Sequence, residues 1–364
     1  MSKTIAGLDV HSKKTFWVIQ DSEGQVLAEF ECPTTREALI RTVRERKLPI
    51  GTRVGMEAGS QARWIVHTLT AAGMAAEVLA PQEVRAKAFR RGQKSDRRDA
   101  FEICDGLRRD QFVARVWTPP AKICQLRQIL SRRRHFISIR TAQINAVKGL
   151  LKTVCDIPTP SFLNSDVAWE RLISRLGDSE LGVSVELHHE MWLVARAHVQ
   201  RLDAQLRSAL QPFADVAALL QTAPGVGTIT AATFIATIGV PERFPSSAHL
   251  ASYIGLTPST YDSGRRERHG AITKEGSPAL RTALCEAAQQ ARRPTNPLNP
   301  YFLKIKAQSG YKKAVVAVAH RLARILYQMW KHEASFDVKR LNVRYQPTTR
   351  AWTSYYRIGR ASRA

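Results

Sequence analysis

Ile5-Ala6-Gly7-Leu8-Asp9-Val10, Val54-Gly55-Met56-Glu57 and Ser95-Asp96-Arg97-Arg98-Asp99-Ala100 are the stretches on which the fold of this chain turns. The first two are short, apolar, β-prone runs, and each brings an acid to its end. The third reads as the start of a helix, where Asp96 and Asp99 at i and i+3 share one face. An acid at the end of one strand is an ordinary turn former, and Asp96 or Asp99 could pair with Arg91, Arg97 or Arg98. Four acids in this strand order are harder to explain that way. Carboxylates brought within a few ångströms repel one another unless a divalent cation neutralises them. Asp9, Glu57, Asp96 and Asp99 are therefore the candidate metal ligands and catalytic acids.

Working outward, Thr15 to Gln20 continues the strand character, Asp21-Ser22-Glu23-Gly24 is a turn, and Val26 to Glu31 alternates with period two. Thr34-x-x-Glu37 offers a capping box ahead of a helix through Leu39, Ile40 and Val43. A strand at Arg53 to Glu57, a helix near Gln61 to Ala72, a strand at Ala76 to Leu79 and a helix from Lys94 to Leu107 follow. Meander, helix, strand, helix, strand, helix is the order of an RNase H-like (RuvC-like) α/β domain, although other α/β domains share it. The basic residues Arg90, Arg91, Lys94, Arg97 and Arg98 surround the helical acids and suit a phosphate backbone. A solvated helix face accounts for them equally well.

Pro119-Pro120 punctuates the end of that region. Beyond it, Leu126, Leu130, Ile137, Ile144, Val147 and Leu151 keep coiled-coil-like spacing, and a second helical pattern runs from about Val183 to Leu210. A helical hairpin is expected, serving as a spacer, a dimerisation arm or a plain packed pair. From Leu219 the texture shifts to small residues. Ala223-Pro224-Gly225-Val226-Gly227 between helical runs resembles a helix-hairpin-helix, whose backbone amides can hold a phosphate; Gly225 and Gly227 are the candidate contacts. Phe244 to Ile254, a loop-rich stretch from Gly255 to Gly276, and helices at Pro278 to Arg292 and Lys312 to Lys331 complete a mainly α region. The expected division is 1–118, 119–214, 215–340 and a basic, mobile tail at 341–364.

Within the loop-rich stretch, Tyr261-Asp262-Ser263-Gly264-Arg265-Arg266-Glu267-Arg268-His269-Gly270 is a second site candidate. Glycine beside Ser263 permits a tight turn that exposes a hydroxyl, and Arg265, Arg266, Arg268 and Lys274 could bind a phosphodiester. A Ser-Gly in a polar loop is more commonly just a turn. Composition narrows the partners. Among 364 residues, 55 Lys and Arg face 31 acids, a formal charge of +24, and a field of that sign attracts polyanions. Double-stranded DNA is the expected partner, with a ribosomal-type RNA or a membrane surface as blander ones. No apolar run is long enough to span a bilayer, and the N-terminus lacks a signal-peptide apolar region. The five cysteines are scattered without C-x-x-C spacing and read as reduced thiols of a cytoplasmic protein.

Taken together, these motifs resemble the DEDD transposases of bacterial insertion sequences, the family numbered one-ten with its eleven-eleven branch. Gly7-Leu8-Asp9 and Met56-Glu57-Ala58 match its first two acids, and Lys94-Ser95-Asp96-Arg97-Arg98-Asp99-Ala100 its K-x-D-x-x-D-A helix. Gly255-Leu256-Thr257-Pro258, Tyr261-Asp262-Ser263-Gly264 and Ile272-Thr273-Lys274-Glu275-Gly276 look like its C-terminal signature, continued by Leu280-Arg281 and Lys312-Lys313-Ala314. Glu57-Ala58-Gly59-Ser60 and Ser277 depart from the commoner pattern at positions with no assigned catalytic role. The resemblance implies a RuvC-like domain, a coiled-coil middle and a C-terminal transposase domain. It also implies Mg²⁺ (with Mn²⁺ as a substitute) on the four acids, Ser263 as nucleophile, and a homo-oligomer, dimer or tetramer, whose subunits share active sites. A structured RNA from the element that guides donor and target DNA is implied as well. The competing readings are a RuvC-like endonuclease that uses water and a non-catalytic nucleic-acid-binding protein.

Overall fold

Period two along the first strand decides how the N-terminal unit is built. Ala6 and Leu8 point to one face of the sheet and join Trp17, Ile19, Leu39, Val54, Met56, Ile65 and Leu69 in one core. Ile5 points to the other face and joins Val18, Ile103, Cys104 and Leu107 in a second. A computed structural model describes residues 4–87, 95–113, 115–154, 160–263 and 266–341, with only the backbone of 87, 260–263 and 266–269. It divides into two compact units after Pro119.

In the first unit, β1 (Ile5–Val10), β2 (Lys14–Gln20) and β3 (Val26–Pro33) form an antiparallel meander, followed by α1 (Arg36–Glu45). Next come β4 (Arg53–Glu57), α2 (Ala62–Ala71), β5 (Ala75–Leu79), α3 (Pro81–Lys87) and α4 (Asp96–Arg108). β4 runs parallel to β1 and β5 parallel to β4, giving the sheet order β3-β2-β1-β4-β5. The expected strands are present within a residue or two. The expected capping box is displaced by one: Thr35, not Thr34, accepts the Ala38 N–H at 3.2 Å. Thr34 is diverted by tertiary contacts, its hydroxyl lying 2.8 Å from that of Thr15 and donating to the His11 carbonyl at 2.9 Å.

Helix α4 lies on the sheet because two glycines admit it. A Cβ on Gly7 would stand 2.2 Å from the Ala100 carbonyl oxygen and 2.5 Å from the Cys104 nitrogen. One on Gly55, which pairs with Gly7 in the parallel ladder, would stand 2.3 Å from Leu107 Cδ1. Cys104, fully buried by this approach, donates its thiol proton to the Ile5 carbonyl at 3.4 Å. Burial pushes its pKa up to about 12, against smaller lowering contributions from the backbone groups of Gln20 and Gly7. A thiolate is the nucleophile toward alkylating reagents. Native Cys104 is therefore expected to resist iodoacetamide at pH 8 and to react within minutes once guanidinium unfolds the unit, read by peptide mass spectrometry. Rapid native labelling would mean that α4 does not pack this way.

The second unit is mainly helical. Its elements are α5 (Ala121–Thr153), α6 (Asp166–Leu176), α7 (Glu180–Leu210), α8 (Ala214–Gln221), α9 (Thr228–Ile238) and α10 (Ser247–Ile254). They continue as β6 (Pro258–Ser263), β7 (Arg266–Ile272), α11 (Pro278–Ala288), α12 (Asn299–Ser309) and α13 (Tyr311–Lys331). α5 and α7 pack antiparallel: Arg133 pairs with Asp203 at 2.5 Å, Phe136 stacks on His198 with ring centres 4.5 Å apart, and Gln143 meets His188 at 2.7 Å. α6 falls between them where only a Pro-rich break was expected; its Trp169 is fully buried beside Trp192 of α7. α13 is the axis of the C-terminal bundle, burying Val318, Leu322 and Leu326, while the Tyr327 hydroxyl donates to the Phe244 carbonyl at 2.7 Å.

The loop expected over 255–276 is corrected by the structure. Most of it is the antiparallel β6–β7 hairpin, in which Pro258 pairs with Ile272 and Ser263 with Arg266. The helix expected to reach Arg292 ends at Ala288 and passes into a 3₁₀ turn at Gln289–Arg292. α12 was not foreseen, because Pro300 reads as a breaker although it sits in the first turn, where proline costs no hydrogen bond.

Candidate metal centre and serine hairpin

The same alternation that builds the two cores also aims the acids. Gly7 and Asp9 share one face of β1, and Gly55 and Glu57 share the same face of β4. It is the face on which α4 lies, so the pattern Gly-x-acid, repeated at Gly7-Leu8-Asp9 and Gly55-Met56-Glu57, places a carboxylate just beyond each helix–strand contact. Both acids sit at carboxyl ends of parallel strands, where open α/β sheets carry their ligand sites. Ser95 caps α4, accepting the Arg98 N–H at 3.3 Å, and this fixes Asp96 and Asp99 in the first turn.

Asp9 and Asp96 converge on a residue the sequence reading did not single out. His11 Nε2 lies 3.0 Å from Asp9 Oδ2 and 3.2 Å from Asp96 Oδ1. Partial burial lowers the pKa of His11, but the charges of Asp9 and Asp96 and the hydrogen bonds to them outweigh it, so the net shift is upward. The ring thus bridges the same two carboxylates that a cation would bridge. The Asp9, His11 and Asp96 donor atoms all lie within 4.8 Å of one another, the arrangement of a candidate metal centre. Hard carboxylate oxygens at an accessible strand end suit a divalent cation. Glu57 lines the same cleft of about 300 Å³ as Asp9, His11, Ser60 and Gln61, and lies 3.8 Å from the Arg85 guanidinium. Asp99, one turn along α4 from Asp96, is partly buried and stands outside the three-residue group.

The basic residues expected to flank this site divide into two sets. Arg90, Arg91 and Lys94 lie outside the described residues, as does Arg265 of the serine segment. Arg97 pairs with Glu29 of β3 at 2.6 Å, and Arg98 with Glu102 one turn along its own helix at 3.0 Å. The Arg97 guanidinium is largely exposed in this pair, where solvent screens the attraction, so a phosphate could compete for it.

Ser263 belongs to the second unit. Its backbone is the last residue of β6, paired with Arg266, so Ser263 stands at the tip of the hairpin; Arg266 and Arg268 are residues of β7. The base of this hairpin explains the surrounding glycine pattern. Gly255 and Gly276 both have positive φ, and a Cβ on either would meet backbone oxygen, of Glu275 at 2.1 Å and of Tyr253 at 1.9 Å respectively. Arg281 ties the base together, donating to the Ile254 carbonyl at 2.9 Å and the Glu275 carbonyl at 2.7 Å. Lys274 is exposed at this base with φ +58°, its N–H bonded to the Gly255 carbonyl at 3.2 Å. Gly225 meets a packing requirement of the same kind: a Cβ there would reach 2.5 Å from the Ala287 carbonyl, whereas Gly227 caps α9 with open space around it.

Comparison with known proteins agrees with this division of motifs. The family profile described as "Transposase IS116/IS110/IS902 family" matches residues 217–302, and the DEDD transposase profile of IS110 matches residues 6–156. The transposase for insertion sequence element IS1111A of Coxiella burnetii is 26% identical over 295 residues, which cover 78% of this chain and 79% of that protein. A protein of insertion element IS116 from Streptomyces clavuligerus is 23% identical over 91% of this chain and 95% of its own length. A pilin gene-inverting protein of Moraxella bovis is 30% identical over 42% of this chain and 44% of its own. Among the described residues, no helix is long and apolar enough to cross a membrane. The chain belongs to the IS110-type DEDD transposase family of insertion sequences.

Proposed function

We propose that this transposase cuts and rejoins DNA by metal-assisted transesterification, with Asp9, Glu57, Asp96 and Asp99 as the ligands of Mg²⁺ (or Mn²⁺) and Ser263 as the nucleophile. The observation that carries the reading is the meeting of Asp9 and Asp96, from a strand end and a helix start, beside the cleft that Glu57 lines. The sheet order β3-β2-β1-β4-β5, with its antiparallel meander and two parallel additions, supports a RuvC-like domain. The antiparallel α5–α7 pair supports a coiled-coil middle.

A bound divalent ion supplies Lewis-acid polarisation of the scissile phosphate. The carboxylates hold that charge at the strand ends, and the residues of the chain do the rest. Ser263 Oγ gives up its proton and forms a bond to phosphorus, the bond from phosphorus to the leaving sugar oxygen breaks, and that oxygen takes up a proton. A phosphoserine-linked DNA end remains, and a second strand's hydroxyl resolves it by the reverse exchange. The phosphodiester energy is conserved, so no ATP is needed. Arg265, Arg266, Arg268 and Lys274 offset the charge developing at phosphorus. Ser263 and the four acids belong to different compact units, and we assign the complete site to two subunits of a dimer or tetramer, each supplying one half. A chain of +24 charge has the electrostatics to hold donor and target DNA together with a structured guide RNA from the element. The pilin gene-inverting relative supports exchange of DNA strands over simple hydrolysis.

A suicide DNA substrate, nicked so that the resolving strand is lost, tests this mechanism. Wild type is expected to accumulate a protein–DNA adduct that survives denaturation, and Ser263→Ala to form none. An adduct of equal yield from Ser263→Ala, or cleaved DNA with no adduct from wild type, would replace transesterification with attack by water.

A further inference from the structure

We infer that His11 is itself a ligand of the ion held by Asp9 and Asp96, through Nε2. This inference rests on the metal reading proposed above and adds to the four carboxylates a nitrogen donor that shifts the ion preference of the site. The distances point to it. Adjacent ligands of a six-coordinate ion with bonds of roughly 2.1 Å are about 3.0 Å apart. Nε2 stands 3.0 Å from one carboxylate oxygen and 3.2 Å from the other. Half-exposed Asp96 has the freedom to close whatever gap remains across the ion.

The position of His11 is also built from behind. Its carbonyl accepts from the Thr34 hydroxyl at 2.9 Å and from the Gln61 side-chain amide at 3.4 Å, so the backbone that delivers the imidazole is tied to the meander and to the start of α2. The ring is 49% exposed and is held by the same two carboxylates that would share the ion. The chemical consequence follows from ligand softness. Carboxylates and water suit Mg²⁺ and Mn²⁺ alike, whereas an imidazole nitrogen adds affinity for transition-metal ions, of which Mn²⁺ gains least. This chain is thus expected to hold Mn²⁺ more tightly relative to Mg²⁺ than carboxylates alone would.

The experiment uses the full-length protein and its His11→Asn and Asp9→Asn variants. Mn²⁺ and Mg²⁺ are titrated calorimetrically, and the Mn²⁺ complexes are examined by pulsed electron paramagnetic resonance for a directly bound nitrogen. Wild type is expected to show nitrogen coupling that His11→Asn lacks. Mn²⁺ affinity is expected to fall about 10-fold in that variant while Mg²⁺ affinity changes no more than about two-fold. Nitrogen coupling absent from wild type, or persisting in His11→Asn, overturns the assignment; so does an equal loss for both ions. If Asp9→Asn loses Mn²⁺ while His11→Asn binds both ions as wild type does, only the role of His11 falls. If Asp9→Asn binds Mn²⁺ unchanged, the carboxylate site falls with it.

Discussion

Asp9→Asn is expected to lower DNA strand cleavage by roughly 10³-fold or more while leaving the protein folded. The amide is isosteric, and its oxygen can still accept from His11, so the end of β1 keeps its shape. What it loses is a negative charge. The side chain is only 19% exposed and lies beside Asp96, with Glu57 lining the same cleft. Removing one charge relieves repulsion from Asp96 but weakens the attraction to His11, so far-ultraviolet circular dichroism and the thermal transition are expected to stay close to wild type. The cluster's need for a cation falls at the same time, and metal-dependent cleavage falls with it. Asp96→Asn is expected to behave in the same way despite its greater exposure. Cleavage in Asp9→Asn within ten-fold of wild type, at saturating Mg²⁺, would remove the carboxylates from the chemistry. A variant that lost cleavage only because it unfolded would be exposed by the same dichroism measurement.

How much of this site could be read beforehand differs from residue to residue, and the reasons are physical. Asp9 and Glu57 were legible because a lone acid at the end of an apolar strand run stands out against a strong period-two background. Helical spacing puts Asp96 and Asp99 on one face, and the structure brings Asp96 to Asp9 and His11 while Asp99 stands outside that group. His11 carries no such signal, although it lies two residues after Asp9 and so falls on the same side of the extended chain. A histidine beyond the last apolar residue of a strand resembles any solvated turn residue until α4 is known to bring Asp96 to it. The β6–β7 hairpin reads as a loop in sequence because its strands are rich in Ser, Asp, Arg and Glu and offer little apolar alternation; backbone pairing and the Arg281 clamp at its base hold it. The capping box was a local signal overruled by tertiary hydrogen bonds that recruit Thr34 elsewhere. Helix α6 was hidden because its short amphipathic run follows directly on a Pro-rich segment.

Gly7→Ala is expected to damage both the fold and the site, and it tests the link between them. The added methyl would lie 2.2 Å from the Ala100 carbonyl oxygen and 2.5 Å from the Cys104 nitrogen. Both are backbone atoms of a helix buried against the sheet and cannot swing aside as a side-chain tip would. Overpacking of this kind costs about 3 kcal/mol when relief requires the backbone to shift. Amide exchange in β1 and α4 is then expected to quicken by roughly 10²-fold through local opening, read by hydrogen–deuterium exchange on their peptides. Gly149→Ala in α5 is the counterpart, since a Cβ there has no neighbour within 4 Å. In a helix interior that change is expected to stabilise by up to about 1 kcal/mol. The decisive reading is Mn²⁺ affinity at a temperature where Gly7→Ala remains folded. If α4 is lifted from β1, Asp96 moves away from Asp9 and His11, and affinity is expected to fall at least 10-fold. Unchanged affinity alongside faster exchange would mean that Asp96 is not held in place by the Gly7 contact, and the packing account of the metal centre would fail.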